Sequence, residues 1–194
     1  MLETHDALID IDNILWDQTR VLYRLLSKKF EGFPHYSKWS IDFYRPYMAK
    51  EEFTNFITKV QSEQLKYKPF NDSAFFLEVL RYKLSMTINI CSARPKEHYN
   101  IVTRWLRRHR LIYDNVYLCD GYDKSMYVTK RTKLIVDDHP IFLNTMRKER
   151  KDILLATIVY SYNKYVKEVL KVRSLTELAN NLLLLCNNAE IRIN

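Results

Sequence analysis

Short apolar runs alternate along most of the chain with segments whose apolar residues recur at helical spacing. An apolar run bounded by polar or turn-forming residues predicts a buried β-strand. Apolar residues every three or four positions predict a helix that packs on one face. The predicted strands cover residues 7–12, 86–91, 115–118, 134–136 and 154–160, and the predicted helices cover about 16–29, 50–64, 73–82, 96–109, 164–170 and 176–186.

This alternation predicts an α/β fold, a Rossmann-like parallel sheet with helices on both faces. The segment between the first two strands departs from it, because residues 33–48 are aromatic-rich and irregular. We interpret residues 17–68 as a small helical cap inserted after the first strand. Residues 1–16 and 69–194 then form the core. A chain of 194 residues accommodates this arrangement, but not a second full domain.

Composition excludes several classes of protein and favours an anionic partner. The chain has only 2 glycines, Gly32 and Gly121, so it cannot build the glycine-rich phosphate loop of kinases or dinucleotide-binding enzymes. A net charge of +8 and 14 tyrosines suit a nucleotide, a nucleic acid or a phosphate ester. A lysine-rich solvated surface would produce the same charge.

Cysteine usage and hydropathy bear on location. The 3 cysteines, Cys91, Cys119 and Cys186, lie far apart without metal-binding spacing, which favours a reducing compartment. The N-terminus does not resemble a signal peptide, and no apolar stretch reaches the ~18 residues that span a membrane. We therefore expect a cytoplasmic protein without a membrane partner, and its oligomeric state stays open.

Three of the predicted strands have polar residues at or directly after their carboxyl ends. Ligands of open parallel sheets bind beyond the carboxyl ends of the strands, so these side chains are expected to meet at one site. Crowded carboxylates repel one another, and oxygen ligands favour Mg²⁺, which we predict as the cofactor. A single acidic pair could instead cap a helix or solvate a loop. The residues are Asp10 and Asp12, Ser92 and Arg94, and Asp137 and Asp138.

Four segments resemble, in the right order, the motifs of the haloacid dehalogenase superfamily of phosphatases. Residues 10–17, Asp-Ile-Asp-Asn-Ile-Leu-Trp-Asp, resemble the first motif, and Ser92 at the end of its strand resembles the second. Lys124 resembles the third motif, and Asp137 with Asp138 resembles the fourth. Together the motifs span about residues 10–140. Lys130 and Lys133 are alternatives to Lys124.

The resemblance implies a role for each residue. Asp10 is the nucleophile that forms an aspartyl-phosphate, and Asp12 is first the general acid and then the general base. Ser92 and Lys124 hold the phosphoryl oxygens. Asp137 joins Asp10 and the backbone carbonyl of Asp12 on Mg²⁺. Asp138 is a weaker metal ligand, in the second shell or through a water.

The first motif also indicates a branch of the superfamily. The usual pattern has Gly where this chain has Asn13 and Thr where it has Ile14. The loss of Thr, with Asp17 following Ile14-Leu15-Trp16, resembles the 5′(3′)-deoxyribonucleotidases. That resemblance implies a phosphatase acting on nucleoside monophosphates.

Predicted substrate contacts come from both parts of the chain. Rings of the cap could stack on a base, although packing within the cap explains them equally well. Motif residues would contact the phosphate. The predicted contacts are Asn13, Ser92, Ala93, Arg94 and Lys124 in the core, and Trp39, Phe43 and Tyr44 in the cap.

Two alternatives remain open. Residues 92–94 with 99–106 resemble the 3′-phosphatase domain of bacteriophage polynucleotide kinase, which implies a nucleic-acid end as substrate. The arginines at 104, 107, 108 and 110 suit a polynucleotide backbone, or they face solvent. The other alternative is a non-catalytic binding module that has kept the fold.

Overall fold

The structure, a computed structural model, describes residues 5–121 and 123–190, the last three of them by backbone alone. Six strands form one sheet in the order β3-β2-β1-β4-β5-β6, and every neighbouring pair is parallel. This confirms the predicted α/β class. The strands are β1 (Asp6–Ile9), β2 (Thr87–Ser92), β3 (Asn115–Leu118), β4 (Thr132–Val136), β5 (Leu154–Ile158) and β6 (Leu170–Val172).

In the described part of the chain, six α-helices accompany the sheet and cover both of its faces. Side chains along a strand alternate between faces, so Ala7 and Ile9 of β1 enter the larger core cluster, whereas Leu8 enters the smaller. The fifth helix packs on the smaller cluster, and the third, fourth and sixth pack on the larger. The helices are α1 (Gln18–Lys29), α2 (Lys50–Ser62), α3 (Ser73–Glu78), α4 (Tyr99–Arg108), α5 (Pro140–Glu149) and α6 (Leu175–Glu190).

Residues 17–68, which lie between β1 and α3, are called the insertion below. It contains α1, α2 and two short 3₁₀ turns, Tyr36–Lys38 and Gln64–Lys66. Helix α1 begins at Gln18 because the carboxylate of Asp17 accepts the Arg20 backbone N–H at 3.0 Å. Among the described residues, no helix is both long and apolar enough to cross a membrane.

The chain after β4 departs from the sequence prediction in two places. Helix α5 was not predicted, and the helix predicted at residues 164–170 is wrong. There the chain turns and enters β6. The buried Asn163 side chain accepts from the Tyr160 backbone N–H at 2.8 Å and donates to the Ile158 carbonyl, which closes a turn. Glu168 has a φ of 56°, a left-handed conformation that a helix does not contain.

Candidate active site

The carboxyl edge of the sheet gathers the polar residues that follow β1, β2 and β4. Ile9 pairs with Ile90 of β2 on one side and with Val136 of β4 on the other, so the ends of the three strands are neighbours. The Asp10 backbone N–H donates to the Val136 carbonyl at 2.9 Å. Asp10, Ser92 and Asp137 are thereby held at adjacent strand ends, as the sequence predicts.

Three buried carboxylates form a cluster at this edge. Asp10, Asp137 and Asp138 each place an oxygen within 4.8 Å of the others. Lys124 is only 3% exposed, and its ammonium lies 2.8 Å from Asp10 Oδ1 and 2.6 Å from Asp137 Oδ2. The Asp12 side chain lies outside this cluster. We call the group formed by Asp10, Lys124, Asp137 and Asp138 the carboxylate cluster.

The structure distinguishes between the three lysines that precede or begin β4. Lys124 is the one buried against the carboxylates. Lys133 pairs with Asp152 at 3.0 Å on the surface, and Lys130 is exposed. Neither of the two joins the site.

Burial and mutual repulsion dominate the electrostatics of the cluster. Burial raises the pKa of Asp10 well above its ordinary value; Lys124 opposes this, and the neighbouring carboxylates add to it. Burial, and then Asp137, raises the pKa of Asp138 to about 7. Burial lowers the pKa of Lys124, but Asp10 and Asp137 outweigh it and leave this pKa well above its ordinary value. One lysine therefore does not neutralise the three acids.

The donor set of the cluster fits a hard divalent cation. It offers carboxylate oxygens only, which is the ligand type that Mg²⁺ takes in proteins. Asp10 Oδ1 is buried, and within the described parts of the chain its polar contact is the Lys124 ammonium at 2.8 Å. A buried carboxylate oxygen with one cationic neighbour can still ligate a metal ion.

Asp12 lies two residues from Asp10 in a different environment. Its Oδ1 accepts from Trp16 Nε1 at 2.8 Å and from Gln18 Nε2 at 2.9 Å, and its Oδ2 accepts from Gln61 Nε2 at 3.0 Å. The Arg94 guanidinium adds a bidentate pair, with Nε 2.9 Å from Oδ2 and Nη2 2.5 Å from Oδ1. Five donors therefore hold this carboxylate. We call the group the Asp12 clamp.

Arg94 belongs to the clamp and not to the wall of an open pocket. Its side chain is 0% exposed, and Nη1 donates to Gln64 Oε1. Gln61 and Gln64 both come from the insertion, so this segment reaches into the core at Asp12. The sequence prediction missed the two glutamines, because about fifty residues separate them from Asp12 and no local pattern marks the contact.

Asn13 connects the first motif to the carboxylate cluster. Its φ of 61° is left-handed, which Gly and Asn adopt more readily than other residues. This explains how Asn can stand where the usual pattern has Gly. Nδ2 donates to Asp138 Oδ2 at 2.8 Å and to Tyr162 Oη at 3.0 Å. Tyr162 in turn donates to Asp138, and Tyr160 Oη donates to the Asn13 carbonyl at 3.0 Å. The two tyrosines were not predicted as site residues.

The three predicted aromatic contacts mainly pack within the insertion. Trp39 and Phe43 stack face to face, with ring centroids 3.8 Å apart. Tyr44 stacks on Phe53 at 4.2 Å. Of the three, only Tyr44 borders the cavity described next, so the structure does not bring Trp39 or Phe43 to the site.

A cavity of about 820 Å³ lies between the insertion and the strand ends. We call it the central cavity. Ala93, predicted to contact substrate, lines its core side, and Gln61 connects it to the Asp12 clamp. Its other lining residues are Ile41, Asp42, Tyr44, Lys50, Phe53, Thr54, Ile57 and Thr58 from the insertion, and Pro95, Asp120, Gly121, His139 and Ile141 from the core.

Comparison with known proteins finds solved structures with a similar fold, but no protein that matches by sequence. No protein-family model matches the chain, and no curated protein does. L-2-haloacid dehalogenase from Xanthobacter autotrophicus matches with a TM-score of 0.59 at 12% identity, over 92% of this chain and 98% of that one.

Two further solved structures agree with this match. A HAD family hydrolase from Deinococcus radiodurans R1 with bound phosphate and sodium matches with a TM-score of 0.60 at 12% sequence identity, over 94% of this chain and 96% of that one. Beta-phosphoglucomutase from Clostridium difficile matches with a TM-score of 0.56 at 14% sequence identity, over 97% of this chain and 99% of that one. The six-stranded sheet and its helices therefore form the fold shared by haloacid dehalogenase and its structural relatives.

Proposed function

We propose that this protein is a Mg²⁺-dependent phosphomonoester hydrolase that works through an aspartyl-phosphate on Asp10. The carboxylate cluster carries the proposal, because three buried acids share a single lysine at the carboxyl edge of the sheet, and a divalent cation would balance their remaining negative charge. The fold is consistent with it: one structural neighbour, the hydrolase from D. radiodurans, was solved with bound phosphate.

In the proposed reaction, an Asp10 oxygen attacks phosphorus and the ester P–O bond breaks, while Asp12 protonates the departing alkoxide. Water then attacks the phosphorus of the aspartyl-phosphate and loses its proton to Asp12. The P–O bond to Asp10 breaks and inorganic phosphate leaves. Lys124 is placed for the first step, because its ammonium lies 2.8 Å from Asp10 Oδ1. Ser92, at the neighbouring strand end, would hold a phosphoryl oxygen.

The Asp12 clamp sets a condition on this reaction. A carboxylate offers about four lone-pair positions, and five donors already contact Asp12. At least one donor must therefore give way before Asp12 can exchange a proton with the substrate. Gln61 is the donor that also borders the central cavity, which makes it the one nearest an entering ligand.

Mg²⁺ would be held by Asp10, Asp137 and Asp138, with the backbone carbonyl of Asp12 as a further expected ligand. Bound there, the ion supplies positive charge to the phosphoryl oxygens. Lys124 of the protein itself also supplies positive charge. Asn13 and Tyr162 orient Asp138 by hydrogen bonds.

For the substrate, we propose a nucleoside monophosphate. The support is the central cavity, whose 820 Å³ and mixed lining suit a base and a sugar. Tyr44 and Ile57 give it apolar surface, whereas Lys50, Thr54 and Thr58 offer hydrogen-bond donors. The resemblance of the first motif to the deoxyribonucleotidases adds to this support.

A phosphate-release screen tests the proposal. Deoxy- and ribonucleoside monophosphates, sugar phosphates and 3′-phosphorylated oligonucleotides are each incubated with the protein, with Mg²⁺ or with EDTA. We expect Mg²⁺-dependent release that is fastest for nucleoside monophosphates. Asp10→Asn is expected to lower kcat/KM by at least about 10³-fold, whereas the matched surface variant Asp152→Asn keeps it.

The screen also separates the alternatives. Activity confined to 3′-phosphorylated oligonucleotides would overturn the mononucleotide proposal in favour of a polynucleotide 3′-phosphatase. Absence of release from every ester would favour a binding module. An Asp10→Asn protein as active as the wild type would contradict the mechanism itself.

A further inference from the structure

A groove runs along the β5–β6 side of the molecule, outside the central cavity. It consists of three adjoining sections of about 540, 440 and 480 Å³. The first two sections share Arg20 and Tyr36 among their lining residues, and the second and third share Ser161 and Lys164. The sections are therefore continuous, and we call them together the lateral groove.

The lateral groove leads to the candidate active site. Ile41 and Asp42 border both its third section and the central cavity. Tyr162 also lines the third section, and its hydroxyl donates to Asp138 of the carboxylate cluster. A ligand lying in the groove would therefore end beside the proposed phosphoryl site.

Exposed cations line the groove along its whole length. Arg20 is paired with Asp17, but in the described parts of the chain the other five have no carboxylate oxygen within 4.0 Å of their side-chain nitrogens. They are Arg24 and Lys68 in the first section, Arg173 and Lys164 in the second, and Lys38 in the third. Their charge is therefore available to an anionic ligand.

The carboxylates of the groove, in contrast, are already engaged. Asp17 pairs with Arg20 at 3.2 Å, and Asp42 pairs with Arg45 at 3.1 Å. Asp72 accepts from the Thr176 backbone N–H at 2.9 Å, at the start of α6. The groove therefore presents a net positive surface to a ligand.

Aromatic rings stand among these cations. Tyr36 lies in the first two sections with the Arg20 guanidinium 5.7 Å from its ring centroid, and Tyr67 and Phe70 are partly exposed in the first. Tyr165, in the third section, is 77% exposed and has Lys164 Nζ 4.8 Å from its ring centroid. Rings interleaved with cations are typical of surfaces that bind single-stranded nucleic acid.

We propose that the lateral groove binds a short single strand of DNA or RNA, with phosphates on its cations and bases on its rings. A duplex does not fit this chemistry, because its bases are already stacked on one another and cannot reach the rings. The inference goes beyond the proposed function. Binding in the groove does not require catalysis at Asp10.

The test measures fluorescence anisotropy of a labelled ten-nucleotide thymidine strand without a terminal phosphate, using the full chain carrying Asp10→Asn. The double substitution Arg24→Ala with Lys164→Ala is expected to raise Kd at least tenfold at low salt. It is also expected to reduce the slope of log K against log salt by about 0.7 per lost phosphate contact. The matched control, Lys83→Ala with Lys151→Ala, changes exposed lysines away from the groove and leaves Kd within about twofold.

A second variant separates stacking from charge. Tyr165→Ala is expected to raise Kd about tenfold while leaving the salt slope unchanged. Since the substituted side chains are exposed, the thermal midpoints of all variants should match that of the parent. This comparison identifies any loss of binding that results from misfolding.

The proposal is overturned if the control pair weakens binding as much as the groove pair, or if duplex DNA or inorganic polyphosphate binds as tightly as the strand. Failure of the proposed function gives a different result. An inactive protein that binds the strand through the groove leaves this inference standing, and an active protein that does not bind the strand removes only the inference.

Discussion

The two aspartates of the first motif lie two residues apart, and their surroundings have opposite charge balance. Asp10 belongs to the carboxylate cluster, where three acids share one lysine. Asp12 belongs to a clamp in which one acid meets one arginine and three neutral donors. The first group has more acids than the lysine beside it can balance, whereas in the second the acid is matched by one arginine.

This difference predicts that the charge of Asp12 stabilises the folded protein, whereas the charge of Asp10 destabilises it. Repulsion among buried carboxylates destabilises the metal-free fold, so removing the charge of Asp10 relieves strain. Arg94 is fully buried, and among the described residues Asp12 is the carboxylate with which it pairs. Chemically similar substitutions at the two positions should therefore have opposite effects on folding.

The largest expected effect on folding is that of Asp12→Asn, which is compared with the same substitution at Asp10. It leaves the buried Arg94 guanidinium without its carboxylate, so the free energy of unfolding is expected to fall by about 3–5 kcal/mol. Asp10→Asn should leave the stability of the metal-free protein unchanged or raise it. Urea unfolding in EDTA measures both. Equal destabilisation by the two substitutions would show that the contrast between the two aspartates does not exist.

The pH dependence of the metal-free protein sharpens the comparison. Folded Asp138 keeps its proton up to its pKa of about 7, whereas an unfolded aspartate releases it near pH 4. The folded state thus binds more protons between these values, and stability falls as pH rises through the window. The contribution is of the order of 4 kcal/mol. Urea unfolding in EDTA at a series of pH values measures this effect, and Asp138→Asn should reduce the dependence of the free energy of unfolding on pH. An unchanged dependence would show that other groups cause it.

Metal binding should produce the smallest of the three effects. If Mg²⁺ occupies the carboxylate cluster, it stabilises the folded state by about 2.7 kcal/mol at a hundredfold excess over its Kd. The thermal midpoint should rise with Mg²⁺ concentration for the wild type and much less for Asp137→Ala. Asp152→Asn is the control, since that carboxylate lies on the surface. A shift in Asp137→Ala equal to that of the wild type would place the ion elsewhere.

The sequence was sufficient for the parts of the site that follow directly from strands. Asp10, Ser92 and Asp137 stand where apolar runs end, and a parallel sheet brings such ends to one edge. The sequence favoured Lys124 over the other two lysines by its Tyr122-Asp123-Lys124 context and its distance from the fourth motif, and its burial against the acids supports that choice.

Contacts made through tertiary structure could not be predicted in this way. Gln61 reaches Asp12, and Tyr162 reaches Asp138, from segments remote in sequence and without a local pattern. The helix predicted at residues 164–170 was wrong for a related reason. Its apolar spacing favours a helix, but the buried side chain of Asn163 closes a turn that overrides this preference.

Trapping the covalent intermediate tests the central claim most directly. A nucleoside monophosphate turned over with Mg²⁺ is quenched in acid within one turnover, and the peptides are analysed by mass spectrometry. The account predicts one phosphoryl group on the carboxylate of Asp10, and none in the Asp10→Asn protein. Phosphate release at the wild-type rate without a phosphoryl group on Asp10, or with one on another residue, would contradict it.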